Sequence, residues 1–241
     1  MDPNPYQPPA ADGSLLLLDR AARAALAETI GEFLDERLSA FAFDEALDPF
    51  RTSSDPTVRF VADAVWYHYD DCQDHLVALS KPQWDYFQRL LLLLQSDSQV
   101  AVSTMRRWSW SQAVALLCLL GFGWCVWYFG WGIHLLAFSI PFGCVSMAIS
   151  FLRSRRRPAG PFEPILVPFS SFGELAAAWR TTPHFTKTRY RPSLGRRRIR
   201  SPLAEFRIHL QIYAHWLLFA PLVLLFQTFR LTETRIHTTP A

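Results

Sequence analysis

Apolar and polar positions are spread very unevenly along this chain. Residues 108–152 form a run of 45 residues without one Asp, Glu, Lys or Arg. Arg106 and Arg107 precede the run, and Arg153, Arg155, Arg156 and Arg157 follow it. A single helix of that length would extend roughly 68 Å, more than twice the hydrocarbon core of a bilayer, about 30 Å. Two helices fit, and Gly130-Trp131-Gly132 supplies residues that permit a tight reversal between them. The pattern therefore predicts a transmembrane helical hairpin, 108–129 and 133–152, within a module spanning 106–157. A second uncharged run, 20 residues from 210 to 229, contains Gln211, His215, Pro221 and Gln227. It is just long enough to cross, so a third transmembrane helix is expected over 209–230. The alternative is a helix at the membrane surface or in a protein interior.

Upstream of the hairpin, apolar residues recur at helical spacing. Residues 1–13 carry four prolines and no such period, which reads as a disordered tail. From Ser14, a helix is expected over 15–41, with Leu18, Ala22, Ala25, Leu26, Ile30, Phe33 and Leu34 on its apolar face and Gly31 as a place to break. A loop through Leu47-Asp48-Pro49 comes next. Ser54-Asp55-Pro56 places a capping side chain before a first-turn proline and predicts a helix over 56–69. Ser80-Lys81-Pro82 opens another, ending near Gln95. Its apolar face is Trp84, Phe87, Leu90, Leu91 and Leu94, widened by the unbroken leucines 90–94. A helix apolar nearly all round needs a cover, so this face is the candidate partner surface. Residues 14–105 together read as a cytoplasmic helical domain, its last stretch, 96–104, a polar connector.

Beyond the hairpin, 158–208 reads as a basic cytoplasmic loop. Four prolines in 158–168 favour an extended course. Ser171 and Glu174 match a capping box before a short helix, 175–180, and Ser201-Pro202 looks like another helix start. Residues 231–241 read as a short tail. Within the hairpin, Ala113, Gly121 and Cys125 on one span, and Ser139, Gly143, Ser146 and Ser150 on the other, form small-residue lines expected to pack together.

Charge sharpens the topology. The net charge of +3 hides two opposed halves. Residues 1–105 carry 17 acids against 7 bases, and 106–241 carry 4 acids against 17 bases. Residues 153–208 alone hold 13 Lys and Arg and three acids, whereas the Gly-Trp-Gly tip is uncharged. The positive-inside rule then puts the N-terminus and the 153–208 loop in the cytoplasm of a multi-pass plasma-membrane protein. A third span would leave the C-terminus outside. Trp108 and Trp110 suit the inner interface, and Trp124, Trp127, Tyr128 and Trp131 the outer one. Three of the four cysteines lie in the apolar run and Cys72 stands alone in the acidic half, so no disulfide framework is indicated.

Three features could carry chemistry. His68-Tyr69-Asp70-Asp71-Cys72-Gln73-Asp74-His75 is the densest set of ionisable side chains, and on a helix His68 with Asp71, or Asp71 with His75, would share a face. Its spacing matches no metal motif, and a solvated helix end is the plainer reading. Gln211 and His215 fall one helical turn apart inside the expected third span, where polar groups form either a solute path or interhelical hydrogen bonds. The arginines Arg196, Arg197, Arg198 and Arg200 belong to a stretch from Lys187 without one acid. They could set topology and meet anionic lipid, or dock the acidic N-terminal domain. No groove-reading module accompanies them, which argues against nucleic acid.

No nucleotide, phosphate or zinc motif, nucleophile elbow or internal repeat is present, and no cofactor is expected. The expected fold is an all-α integral membrane protein. The expected function is a non-enzymatic membrane-anchored adaptor or regulatory subunit, whose partners are the bilayer and either another protein or a second copy. A small oligomeric transporter or channel component using Gln211 and His215 is the alternative, and a membrane enzyme using the 68–75 cluster the third.

Overall fold

Asp55 opens a helix by accepting from the Thr57 backbone N–H at 2.8 Å, with Pro56 in the first turn. Ser80 opens another through a reciprocal box with Gln83. In the computed structural model, residues 18–70, 72–154 and 162–240 are described, except for the side chains of 231, 233–235, 239 and 240. The expected tail at 1–13, the Ser14 cap, Asp71, Arg155, Arg156 and Arg157 lie outside the described residues. The elements are α1 Arg20–Leu34, α2 Ala40–Arg51, α3 Pro56–Trp66, α4 Lys81–Gln95, β1 Ser98–Arg107, α5 Trp110–Phe129, α6 His134–Ser154, α7 Glu163–Leu166, α8 Phe172–Thr181, α9 Pro202–Leu218, α10 Ala220–Gln227 and β2 Leu231–Pro240. The chain is mostly helical, and β1 pairs with β2 in a two-stranded sheet. Two compact units result. The first gathers Met1–Val102, Phe162–Ile199 and Ile236–Ala241; the second is Ser103–Pro161 with Arg200–Arg235.

In the first unit, α1, α2, α3 and α4 enclose a core that includes Leu26, Ile30, Phe33, Phe43, Leu47, Val61, Val65, Trp84 and Phe87. The expected loop at 47–49 is instead the last turn of α2, with Pro49 inside the helix. Burial of Phe43 and Leu47 one turn apart, with Phe43 stacked on Phe33 at 4.3 Å, outweighs the one lost backbone hydrogen bond. The long helix expected over 15–41 ends at Leu34, where Glu36 takes a positive φ of 64°.

The candidate partner surface on α4 needs correction. Trp84, Phe87, Leu90, Leu91 and Leu94 are all buried, as are Leu92 and Leu93. The cover is the chain itself, since Phe169, Ala178 and Leu194 join the same core and Phe185 and Tyr190 pack against it. Residues 162–199, expected in a separate basic loop, are thus part of the first unit. Polar contacts fix the cover: Trp84 Nε1 donates to the Thr188 carbonyl at 3.2 Å, the Thr188 N–H to Gln88 Oε1 at 2.9 Å, and Tyr190 Oη to the Leu79 carbonyl at 3.2 Å.

Two segments expected to be irregular are strands: the 96–104 connector lies largely in β1, and the described part of the 231–241 tail, Leu231–Pro240, is β2. Ile236 packs on the first core, and buried Thr238 bonds to the Glu174 carboxylate. That carboxylate also accepts from the Ser170 N–H at 2.9 Å, while Ser171 Oγ caps α8 through the Glu174 N–H at 3.2 Å.

In the second unit, α5 and α6 are each long and apolar enough to cross a membrane. They reverse through Gly130, whose φ of +75° suits a residue without Cβ, and Gly132, where a Cβ would sit 2.8 Å from the His134 ring. The helix expected over 209–230 is present but broken. α9 and α10 meet at Phe219 with a 78° bend, so the pair is a broken span or a re-entrant element. The small-residue line of α6 faces this elbow rather than α5: a Cβ on Gly143 would meet Leu217 at 2.8 Å and Ala220 at 3.3 Å. Against α5, Phe142 meets Phe122 edge-on at 5.5 Å between ring centroids and lies over Gly121, where a Cβ would come within 3.5 Å of its ring. Ala115, Ile149 and Leu224 form the small core shared by α5, α6 and α10.

Candidate functional site

The 68–75 cluster does not form one site. α3 ends at Trp66, so His68 and the acids after it share no helical face. His75 Nε2 accepts from the Asp70 N–H at 3.0 Å, and its Nδ1 lies 2.7 Å from the Leu76 carbonyl. Those two contacts require the Nδ1–H tautomer and occupy both ring nitrogens. Asp74 accepts from the Phe41 N–H at 3.1 Å, and the His75 carbonyl from the Ala40 N–H at 2.8 Å. The Phe41 bond is the main reason the Asp74 carboxyl is held below its usual range. The stretch is a turn that caps α2. Among the described residues no group of three or more His, Cys, Asp and Glu could hold a metal ion.

His68 belongs elsewhere. It lies 5.4 Å from the Tyr86 ring and 5.5 Å from Phe87, and burial pushes its imidazole below the ordinary value. With Phe60, Ala64, Tyr67, Tyr86 and Arg89 it lines an open groove of about 530 Å³ between α3 and α4, to which Pro164 also contributes. Arg89 is pinned there, donating to the Val167 carbonyl at 2.6 Å and the Pro164 carbonyl at 3.3 Å with its guanidinium over the Tyr86 ring. Tyr67 is 76% exposed at the lip. Sequence periodicity placed apolar residues on α3 and α4 but could not register that aromatic rings from both would border one open groove.

Part of the arginine stretch meets acids of the first unit. Lys187 pairs with Asp85 at 2.6 Å, Arg191 with Glu36 at 3.6 Å, and Arg197 with Glu36 at 3.0 Å. Arg197 also donates to the Val77 carbonyl at 3.1 Å. Hydrogen bonds from Lys187 and Lys81 offset the burial of Asp85 and leave its carboxyl below its ordinary value. Arg196 and Arg198 are exposed, and Arg200 is half-buried in the second unit.

Gln211 and His215 are both exposed on α9, and the His215 Nδ1 lies 2.7 Å from the Gln211 backbone carbonyl. They line a groove of about 410 Å³ with Trp216, Phe219 and Val223. The hydrogen bonds between helices come from other residues. Trp216 Nε1 donates to Ser146 Oγ at 3.0 Å, and Gln227 Nε2 to the Ser146 carbonyl at 3.0 Å and Ser150 Oγ at 2.9 Å. Arg153 donates to Ser111 Oγ at 3.0 Å and the Gln227 carbonyl at 2.9 Å, and Gln112 to the Phe229 carbonyl at 2.6 Å. The start of α5 and the ends of α6 and α10 are thus tied at one level, where Arg230 also covers the Trp108 ring at 5.1 Å. The signal for this seam was polar side chains at the margins of apolar runs, which sequence alone reads as flanks. Comparison with protein-family models, curated proteins and solved structures finds no match to this chain.

Proposed function

We propose that the protein is a non-enzymatic membrane-anchored adaptor. The hairpin of α5 and α6 crosses the plasma membrane, the first unit lies on the cytoplasmic side, and the groove between α3 and α4 receives a protein partner. The orientation is supported by the arginines bordering the hairpin and its uncharged tip. The observation that carries the adaptor reading is the open groove with aromatic rings from two helices and exposed Tyr67 at its lip. Rings so placed offer flat apolar walls on which proline or aliphatic side chains of an extended peptide pack. The partner surface therefore moves from the buried leucine face of α4 to this groove.

A photo-crosslinking residue at Tyr67 in the full-length protein, activated in cells, tests the reading. A discrete crosslinked partner is expected, lost when Tyr86→Ala removes a groove wall and not captured from exposed Glu45. Crosslinks to the protein's own copies alone, or capture unaffected by Tyr86→Ala, would overturn it.

The second reading, a transporter component, has one observation in its favour: Gln211 and His215 line a common groove on α9. It requires His215→Leu to abolish a transport activity while leaving the melting temperature unchanged.

A further inference from the structure

We propose that Pro202–Gln227 is a re-entrant element that enters and leaves the bilayer from the face occupied by the first unit, with its elbow near mid-depth. The inference rests on the hairpin crossing the membrane, and its first step is one of parity. A bilayer cannot pass through a packed protein core, so all segments that build the first unit lie on one side. Those segments come from before the hairpin, from Phe162–Ile199 between hairpin and elbow, and from Ile236 onward. Phe169, Ala178 and Leu194 from the second segment and Ile236 from the third pack with Leu26, Trp84 and Phe87 from the first. Thr238 bonds to Glu174, which ties the third segment to the second. Two crossings by α5 and α6 return the chain to its starting side. Residues 200–235 must then cross an even number of times, and they hold a single apolar stretch, so that number is zero.

Depth follows from the packing of the elbow. Leu217 and Ala220 sit on Gly143, ten residues before Arg153 on α6. That separation is roughly 15 Å along the helix axis, half of the ~30 Å hydrocarbon core. From there α10 runs back to the level of Arg153, where Gln227 meets Ser150 and Arg153. Its eight residues give a length of about 12 Å, enough for one leaflet and too short for two. The bend of 78° lets α9 approach at a shallow angle. The exposed apolar residues Phe206, Leu210, Leu218, Leu222 and Phe226 then face the acyl chains of one leaflet, continuous with the exposed apolar surface of the hairpin. At the break Phe219 keeps both backbone partners, its N–H donating to the His215 carbonyl at 2.9 Å and its carbonyl accepting from the Val223 N–H at 3.0 Å.

The test is sidedness of single cysteines introduced into the full chain after Cys72, Cys118, Cys125 and Cys144 are all replaced by serine or alanine, probed with a membrane-impermeant maleimide in sealed and opened vesicles. Glu45→Cys and Ser193→Cys report the first unit, Trp131→Cys the hairpin tip, and His237→Cys the end of β2. The expected result is His237→Cys on the side of Glu45→Cys and Ser193→Cys, with Trp131→Cys opposite. His237→Cys on the tip's side would establish a third span and overturn re-entrance while leaving the hairpin intact. Trp131→Cys on the side of Glu45→Cys would overturn the hairpin itself, and the inference with it. Depth is read from a spin label at Leu218→Cys, expected to be relaxed by oxygen far more than by a water-soluble nickel chelate. The reverse order would remove the elbow from the leaflet.

Discussion

Arg23 and Asp55 are 2% and 1% exposed, and a charged pair so buried survives only if every polar atom is used. Arg23 donates to Asp55 at 2.6 and 3.3 Å and to the Ser96 and Ser98 carbonyls at 2.9 Å each. Asp55 also accepts from the Thr57 and Asp19 N–H groups, so one pair joins α1, the start of α3 and the exit of α4. Arg23→Met leaves a buried carboxylate without its cation and should cost about 3–5 kcal/mol in thermal or denaturant unfolding. Adding Asp55→Asn, which keeps the cap, should recover part of the loss. Burial alone would raise the Asp55 carboxyl, but the Arg23 and backbone hydrogen bonds more than offset it and hold the carboxyl below its ordinary value. Its contribution is therefore complete above the unfolded value near pH 4 and is lost as pH falls through the lower folded value. His68, lowered by burial, works in the same direction at higher pH. The melting temperature should drop as pH falls below about 6.5, and His68→Phe should flatten that slope; an equal slope in both proteins would refute the assignment. The Asp55 cap was legible in the sequence. Its cation was not, because Arg23 lies 32 residues away and reads as an ordinary charge on an amphipathic helix.

Helix starts and the hairpin turn are written locally, in Asp55-Pro56, Ser80-Lys81-Pro82, Ser171 and Gly130, and each is legible from a few adjacent residues. What local pattern missed was decided by distant partners. β1 and β2 lie more than a hundred residues apart with no turn between them, so nothing in either segment announces the other. The uncharged 210–229 run has the composition of a span, and Pro221 in the first turn of α10 marks its break, but where the elbow seats depends on what α6 presents to it. Gly143 is that partner. Gly143→Leu should dislodge the elbow, and even Gly143→Ala must move Leu217 backbone atoms that would lie 3.1 Å from the new Cβ. Overpacking of this kind costs about 1–3 kcal/mol. Gly123, where a Cβ meets nothing within 4 Å, is the matched control. Gly123→Ala should leave the melting temperature in detergent unchanged or slightly higher, whereas Gly143→Ala lowers it. Equal effects would show that the elbow does not pack as described.

At the scale of the whole chain, residues 14–105 read as a separate helical domain whose α4 face needed a cover from elsewhere. The first unit is not continuous in sequence, however, and the opposed charges of the two halves have a use within it. Lys187, Arg191 and Arg197 bring cations to Asp85 and Glu36, while Phe169, Leu194 and Tyr190 cover α4. A fragment of residues 14–105 alone would leave that side of α4 uncovered and the Arg89, Trp84 and Gln88 hydrogen bonds to residues 162–199 unmade. It should therefore melt at lower temperature than the full chain and bind an apolar dye. A peptide of residues 162–199 added in trans should raise its melting temperature and displace the dye. Exposed ion pairs contribute little and are screened by salt, whereas the apolar contacts are not, so the gain should shrink only in part when salt is raised about tenfold from a low-salt buffer. A fragment that melts cooperatively at the full-length temperature and ignores the peptide would mean that residues 162–199 decorate a finished domain. Complete loss of the gain at high salt would mean that charge alone docks them.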